Sequence, residues 1–276
     1  VFIFMIGIAF FSKSIPSISV STTTASSIQD STFPMVYLQV GESFINPLHG
    51  YSSELNSSTV RESITPLDTG KTFAVNIAEN DSKIKKLSYE LRDIANNKSI
   101  ETGDITAFDK NKKYKVATVH LKEAMDTSTE YGFCMTLITN YSKKIHFYTR
   151  IKYYDNDFFL SKKLDFVAKF HAATFDQGKS LDLSQYLESG TNDDSSYESV
   201  DIHSSRKLIT WGKLKPKKLT DVVPTVKELN IETAAISQTY FVSATTASGS
   251  ETYQVKEFYR VRYSGGRIYL LYFKRT

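Results

Sequence analysis

Residues Thr252–Thr276, TYQVKEFYRVRYSGGRIYLLYFKRT, constrain the fold of this chain more than any other stretch. Two aromatic-rich runs flank Ser264-Gly265-Gly266-Arg267, and Gly-Gly supplies the positive φ that a two-residue hairpin turn requires. Tyr253, Val255, Tyr259, Val261 and Tyr263 share one parity and therefore one face of the first strand, interrupted only by Glu257. In the second run Arg267, Tyr269, Leu271 and Phe273 alternate with Ile268, Leu270 and Tyr272. A hairpin this apolar must pack on another element. Its second strand predicts cover on both faces.

The preceding chain reads as further strands. Met35–Val40 alternates, and Phe44–Arg61, with Pro47 and Gly50, reads as an irregular connection. Ile64–Leu67, Thr72–Ala78, Ile84–Ile94, Ile100–Phe108, Lys115–Leu121, Gly132–Asn140 and Lys144–Tyr154 follow, separated by Asn-, Asp- and Lys-rich breakers. This regular turn spacing without long helices predicts an immunoglobulin-like or fibronectin-like β-sandwich over 35–154. Aromatic residues make up 13% of the chain, which supports the β reading. The single cysteine, Cys134, excludes an internal disulfide and lies in an apolar run that reads as core.

At Asp155-Asn-Asp157 the period changes. Phe158–Phe175 places Leu160, Leu164, Val167, His171 and Phe175 at helical spacing, with Phe159, Phe166, Phe170 and Ala173 widening the apolar arc. Asn156 or Asp157 is the expected cap and Gly178 the expected stop. A short helix over Leu183–Leu187 and a polar loop over Ser189–Ser196 come next. Strands follow over Tyr197–His203, Lys207–Leu214, Val222–Asn230 and Ala235–Thr245, before the closing hairpin.

This order of one long helix, one short helix and a run of antiparallel strands, over about Asp157–Thr276, resembles the NTF2-like fold, in which a curved sheet wraps an N-terminal helix. A cystatin-like domain is the competing resemblance. The fold expected is therefore mainly β with α+β: the sandwich at 35–154, then an NTF2-like domain at 155–276.

Val1–Phe11, VFIFMIGIAFF, is too short to span a bilayer by itself. It reads as the end of a longer anchor, the chain being taken as a fragment, with a cleaved signal peptide as the rival reading. Residues 12–34, rich in Ser and Thr, read as a linker. An anchor, a linker and NTF2-like units resemble the layout of VirB8- and TcpC-type conjugation proteins and of the non-catalytic domain of some penicillin-binding proteins. The stretch Leu48-His-Gly-Tyr51 … Arg61-Glu-Ser-Ile-Thr-Pro-Leu67 resembles envelope proteins of anaerobic Gram-positive bacteria. These resemblances imply an extracytoplasmic, membrane-anchored location, or a secreted one if the segment is cleaved.

Signals for chemistry are sparse. His49, His120, His146, His171 and His203 form no metal-site spacing, and neither a nucleophile elbow nor a phosphate loop is present. Asp155 and Asp157 suit a helix cap better than calcium. Asp201 and His203 share a strand parity. The possible pocket is His171 on the apolar helix arc with Phe170 and Tyr259, and the plain alternative is a core histidine with a satisfied hydrogen bond. The densest basic run, Lys213, Lys215, Lys217 and Lys218 around Pro216, suits an anionic lipid or wall polymer, or simply a solvated sheet edge. A net charge of +4 is too mild to argue a nucleic-acid partner. The sequence therefore predicts a non-enzymatic, membrane-tethered binding or scaffold protein of the bacterial envelope, with no cofactor and with an envelope protein or wall polymer as partner. The alternative is a small-ligand binder or enzyme using the C-terminal cavity.

Overall fold

The computed structural model describes residues 33–155, 158–188, 196–246 and 249–276. Among these the chain is mainly β, with three sheets and two α-helices. The first sheet has the order β2-β1-β4-β8-β7, from Met35–Val40 (β1), Ser43–Leu48 (β2), Thr72–Ala78 (β4), Asp109–Asn111 (β7) and Tyr114–His120 (β8). The second has the order β3-β10-β9-β5-β6, from Ile64–Leu67 (β3), Ile84–Asp93 (β5), Ser99–Ile105 (β6), Glu130–Thr139 (β9) and Lys144–Tyr153 (β10). Alternation drives both: every other residue of β5 (Ile84 apart, Leu87, Tyr89, Leu91) and of β9 (Phe133, Met135, Leu137) is buried. The two apolar faces meet where Phe73 of β4 packs edge-on against Phe133 of β9, ring centroids 5.1 Å apart.

The third sheet has the order β11-β16-β15-β14-β12, from Val200–Asp201 (β11), Lys217–Lys218 (β12), Thr233–Thr246 (β14), Gly249–Ser264 (β15) and Arg267–Arg275 (β16). Thr225–Leu229 (β13) pairs with the other half of the β14 edge. Gly265 and Gly266 take φ values of 57° and 79°, the left-handed pair a tight hairpin turn needs. Helix α1, Leu160–Phe175, lies on the inner face of this sheet and buries Leu164, Phe166, Val167, Phe170 and Ala173. Among the described residues no helix is long and apolar enough to cross a membrane.

Several sequence expectations need correction. Phe44–Arg61 is not wholly irregular: Ser43–Leu48 is a strand, and Pro47 is accommodated because β2 is at the sheet edge. Lys207–Leu214 is not a strand. Ser205 caps a helical turn, Arg206–Ile209, by accepting a hydrogen bond from the Leu208 amide, and Trp211 then enters the left-handed region at φ 62°. Only Val200–Asp201 of the expected strand Tyr197–His203 pairs with a neighbour. The described start of α1 is Phe159, left-handed at φ 53°, without a side-chain cap, while Asn156 and Asp157 lie outside the described residues. Residues 1–32, and with them the expected anchor and nearly all of the linker, also lie outside them. Finally, β16 is covered on one face only, because Tyr269, Leu271 and Tyr272 are exposed.

The third sheet is joined to the first two through β13. Asn46, fully buried and left-handed at φ 50°, holds the joint. Its amide N–H donates to the Pro224 carbonyl, and its Oδ1 accepts from the Val226 amide at 2.8 Å. Its Nδ2 donates to the Ile64 carbonyl and to Thr65 Oγ1. Arg150 of β10 adds a bond to the Lys227 carbonyl while pairing with Glu130, and Tyr154 donates to the Leu229 carbonyl. One apolar cluster runs through the joint from Val36 to Phe273. Asn46→Ala removes a buried acceptor and leaves the Val226 amide unpaired, so it is expected to cost about 2–3 kcal/mol in denaturant unfolding. Asn46→Gly, which relieves the left-handed strain, should cost about 1 kcal/mol less. Unfolding midpoints within error of the parent for both variants would contradict this role.

Candidate functional site

Glu257 is the residue that breaks the apolar parity of β15, and it points inward. Its side chain has no exposure at all, and its register neighbours are Gln238 on β14 and Arg275 on β16. Three donors converge on it. His171 Nδ1 of α1 lies 2.8 Å from Oε2, Tyr259 donates to the same oxygen at 2.8 Å, and Tyr240 donates to Oε1 at 2.8 Å. Burial alone would push the carboxyl up. The His171 hydrogen bond and charge, then Arg275 and the Tyr259 hydroxyl, outweigh burial and hold it below the usual carboxylate range. Burial, reinforced by the Glu257 charge, raises Tyr240 and Tyr259 far above the ordinary phenol value, so both remain hydroxyl donors.

Arg275 completes the charge pattern without touching solvent. Its guanidinium lies 3.5 Å from the Trp211 ring centroid and donates to the Ile209 and Leu208 carbonyls, which anchors the Arg206–Ile209 turn. Around the carboxylate the space is filled by rings. Phe170 lies 5.7 Å from Tyr259 and 5.0 Å from Phe273, centroid to centroid, with Phe166 beside it, and Tyr186 packs edge-on to Phe166. His171 stands edge-on to Tyr240 and against Phe175. Its Nε2 is 3.4 Å from Lys218 Nζ, and that ammonium also lies over the Phe175 ring.

His171, Phe170 and Tyr259, the residues singled out from sequence, are thus brought together. His171 and Tyr259 share one carboxylate, and Phe170 seals them from the helix side. An imidazole oriented through Nδ1 by a carboxylate is the arrangement that prepares Nε2 for proton transfer. Here Nε2 faces a lysine at the protein surface. Comparison with protein-family models and with curated proteins finds no match.

The basic run divides. Lys213 and Lys215 are exposed, with Lys215 beside Pro216 and Trp211 at a shallow hollow of about 350 Å³. Lys217 and Lys218 form β12 on the sheet edge, and Lys218 turns back over Phe175 toward His171. Asp201 and His203 do not form a side-chain pair. Asp201 accepts from the His203 backbone amide, whereas the His203 ring faces Glu188, because the strand ends at Asp201. His120 and His146 each bond a threonine hydroxyl on their own sheet, at 2.7 and 3.0 Å. Burial pushes the Cys134 thiol up to about 11, against the opposing Arg92 charge, which keeps it a thiol. Among the described residues no group of three His, Cys, Asp or Glu side chains is placed to hold a metal ion.

Glu257, Tyr240, Arg275 and Trp211 carry no role in the sequence reading. The available signal was Glu257 itself, a carboxylate at an apolar parity position. Because the Glu257 carboxyl is depressed on folding, its contribution to stability is complete above the ordinary value of 4.5 and is lost as pH falls through the lower folded value. Glu257→Gln is expected to lower stability near neutral pH by about 3 kcal/mol, the cost of breaking a buried pair. It should also flatten the acid limb of a stability–pH curve below about pH 4.5. An acid limb as steep in the variant as in the parent would count against the assignment.

Proposed function

We propose that this chain is a non-enzymatic binding or scaffold protein of the bacterial cell envelope, extracytoplasmic and membrane-anchored through its N-terminal segment. In this reading residues 35–154 are an immunoglobulin-like β-sandwich and residues 155–276 an NTF2-like unit of helix on curved sheet. Two five-stranded sheets meeting face to face support the first assignment. A helix against the inner face of a long-stranded, bulged sheet supports the second.

The observation that carries the functional reading is the filled interior of the C-terminal sheet. Phe166, Phe170, Tyr259 and Phe273 occupy the space between α1 and β15–β16, and Glu257 spends its lone pairs on protein donors. A chamber filled by its own side chains leaves outer faces and edges to make contacts. The second reading, a small-ligand binder or enzyme in this cavity, draws on the oriented His171 and the nearness of Lys218 to Nε2.

Antibody against residues 33–276 should find the protein in the membrane fraction of its native cells. Protease added to intact, wall-stripped cells should degrade it. A soluble chain protected from protease would overturn the location. Replacing His171 by Asn in those cells should leave its attachment to envelope material within about two-fold of the parent, since the Asn amide nitrogen takes the place of Nδ1 beside Glu257. Loss of attachment at unchanged melting temperature would favour the cavity reading instead.

A further inference from the structure

The sheet that packs α1 on its inner face displays an unusual outer one. On β15 the outward positions are Lys256, Phe258, Arg260 and Arg262, and on β16 they are Arg267, Tyr269, Tyr272 and Lys274. Phe258, Tyr269, Leu271 and Tyr272 are between 36% and 43% exposed, in a row along the hairpin. Among the described residues none of these cations makes an ion pair. The acids nearest in register are at the rim: Asp201 opposite Lys274, already accepting from the His203 amide, and Glu228 opposite Ala235, one strand beyond Arg260.

We propose that this basic–aromatic face of β15 and β16 binds an anionic glycan, a sugar polymer bearing carboxylate or phosphate groups. The proposal rests on the extracytoplasmic binding reading above and names the partner's chemistry. Charge selects a polyanion, because a face carrying Lys256, Arg260, Arg262, Arg267 and Lys274 without paired carboxylates attracts one and repels a second copy of itself. Exposed rings in a contiguous row mark a contact surface rather than scattered surface residues.

The extracytoplasmic reading, together with the hydroxyls that lie beside the cations, favours a sugar polymer over nucleic acid. Here the Arg262 guanidinium covers one face of Tyr269 at 5.1 Å, and Phe258 and Tyr272 stand edge to face at 6.0 Å. Beside the rings lie the Tyr269 and Tyr272 hydroxyls and the hydroxyls of Ser237 and Thr239, which are opposite Phe258 and Lys256 in register. Hydroxyls interleaved with cations complement a hydroxyl-rich polymer that carries anions. Arg260 and Arg262, two apart on β15, stand roughly 7 Å from each other along the strand.

The test uses the full chain in detergent. Its binding is measured to polygalacturonate, phosphorylated dextran, plain dextran, oligothymidylate and phosphatidylglycerol vesicles. Both anionic glycans should bind and plain dextran should not, with affinity falling at least tenfold between low and physiological salt. Replacing Arg260, Arg262 and Lys274 together by Gln should weaken binding at least tenfold. Tyr269→Ser with Tyr272→Ser should weaken it at least fivefold at an unchanged melting temperature. Replacing Lys213, Lys215, Lys217 and Lys218 by Gln should leave it within two-fold. The proposal is overturned by absent glycan binding, by tighter binding to oligothymidylate or vesicles, or by loss only in the Lys213–Lys218 variant. Absent glycan binding by a protein that is found in the membrane fraction and degraded by external protease sinks this inference alone. A protease-protected soluble chain sinks the reading beneath it.

Discussion

A carboxylate with no access to water sits between α1 and the last long strands, and the C-terminal sheet is arranged to satisfy it. A bare buried charge costs several kcal/mol, so Glu257 specifies its surroundings. It requires donors from the helix (His171), from β14 (Tyr240) and from its own strand (Tyr259), with the positive charge of Arg275 alongside. These groups meet only if the helix has one rotation and the three strands one register. A slip of a single residue would turn Glu257 outward and carry Phe258 into the core. Arg275 extends the same constraint to the Arg206–Ile209 turn through two carbonyls and the Trp211 ring. The apolar rings around the cluster supply the burial; the carboxylate chooses which packing is the native one.

The joint between the third sheet and the first two works by the same logic with neutral groups. Asn46 offers one acceptor and two donors from a left-handed backbone position that most side chains avoid, and it uses them on β13 and β3 together. Arg150, Lys227 and Tyr154 repeat the pattern of a long side chain reaching a carbonyl across the joint. Backbone groups left over where β13 leaves its own sheet are thereby paired. The parallel pairing of β3 with β10 places Ile64 and Thr65 where Asn46 can reach them.

Much of the local structure was legible in the residues. Alternation in β1, β5 and β8, and apolar runs between polar breakers for β4, β9 and β10, marked these strands nearly to their ends, and Gly265-Gly266 marked the hairpin turn. The apolar arc of 158–175 marked α1, although the described helix begins two residues later. The misreadings have physical causes. Arg206–Ile209 is a helical turn because a serine hydroxyl caps it and a distant arginine holds its carbonyls, and only the serine is local. Asn46 reads as a loop residue because its partners lie far along the chain. Glu257 was visible as an anomaly, but its meaning depended on a histidine from another element. The rings of Tyr269 and Tyr272 suggested cover on both faces of β16. Apolar composition reports an affinity for contact and does not say whether the contact is internal.

The separation in sequence between the groups of the buried cluster has a consequence for how the chain acquires its shape. His171 and Glu257 are 86 residues apart, and Arg275 follows later still. During synthesis α1 emerges long before the strands that cover its apolar arc. All strands of the first two sheets have emerged once β10 is made, so those sheets can assemble while the C-terminal sheet is still open. Until β15 and β16 arrive, the Phe166 and Phe170 side of α1 is an uncovered apolar surface.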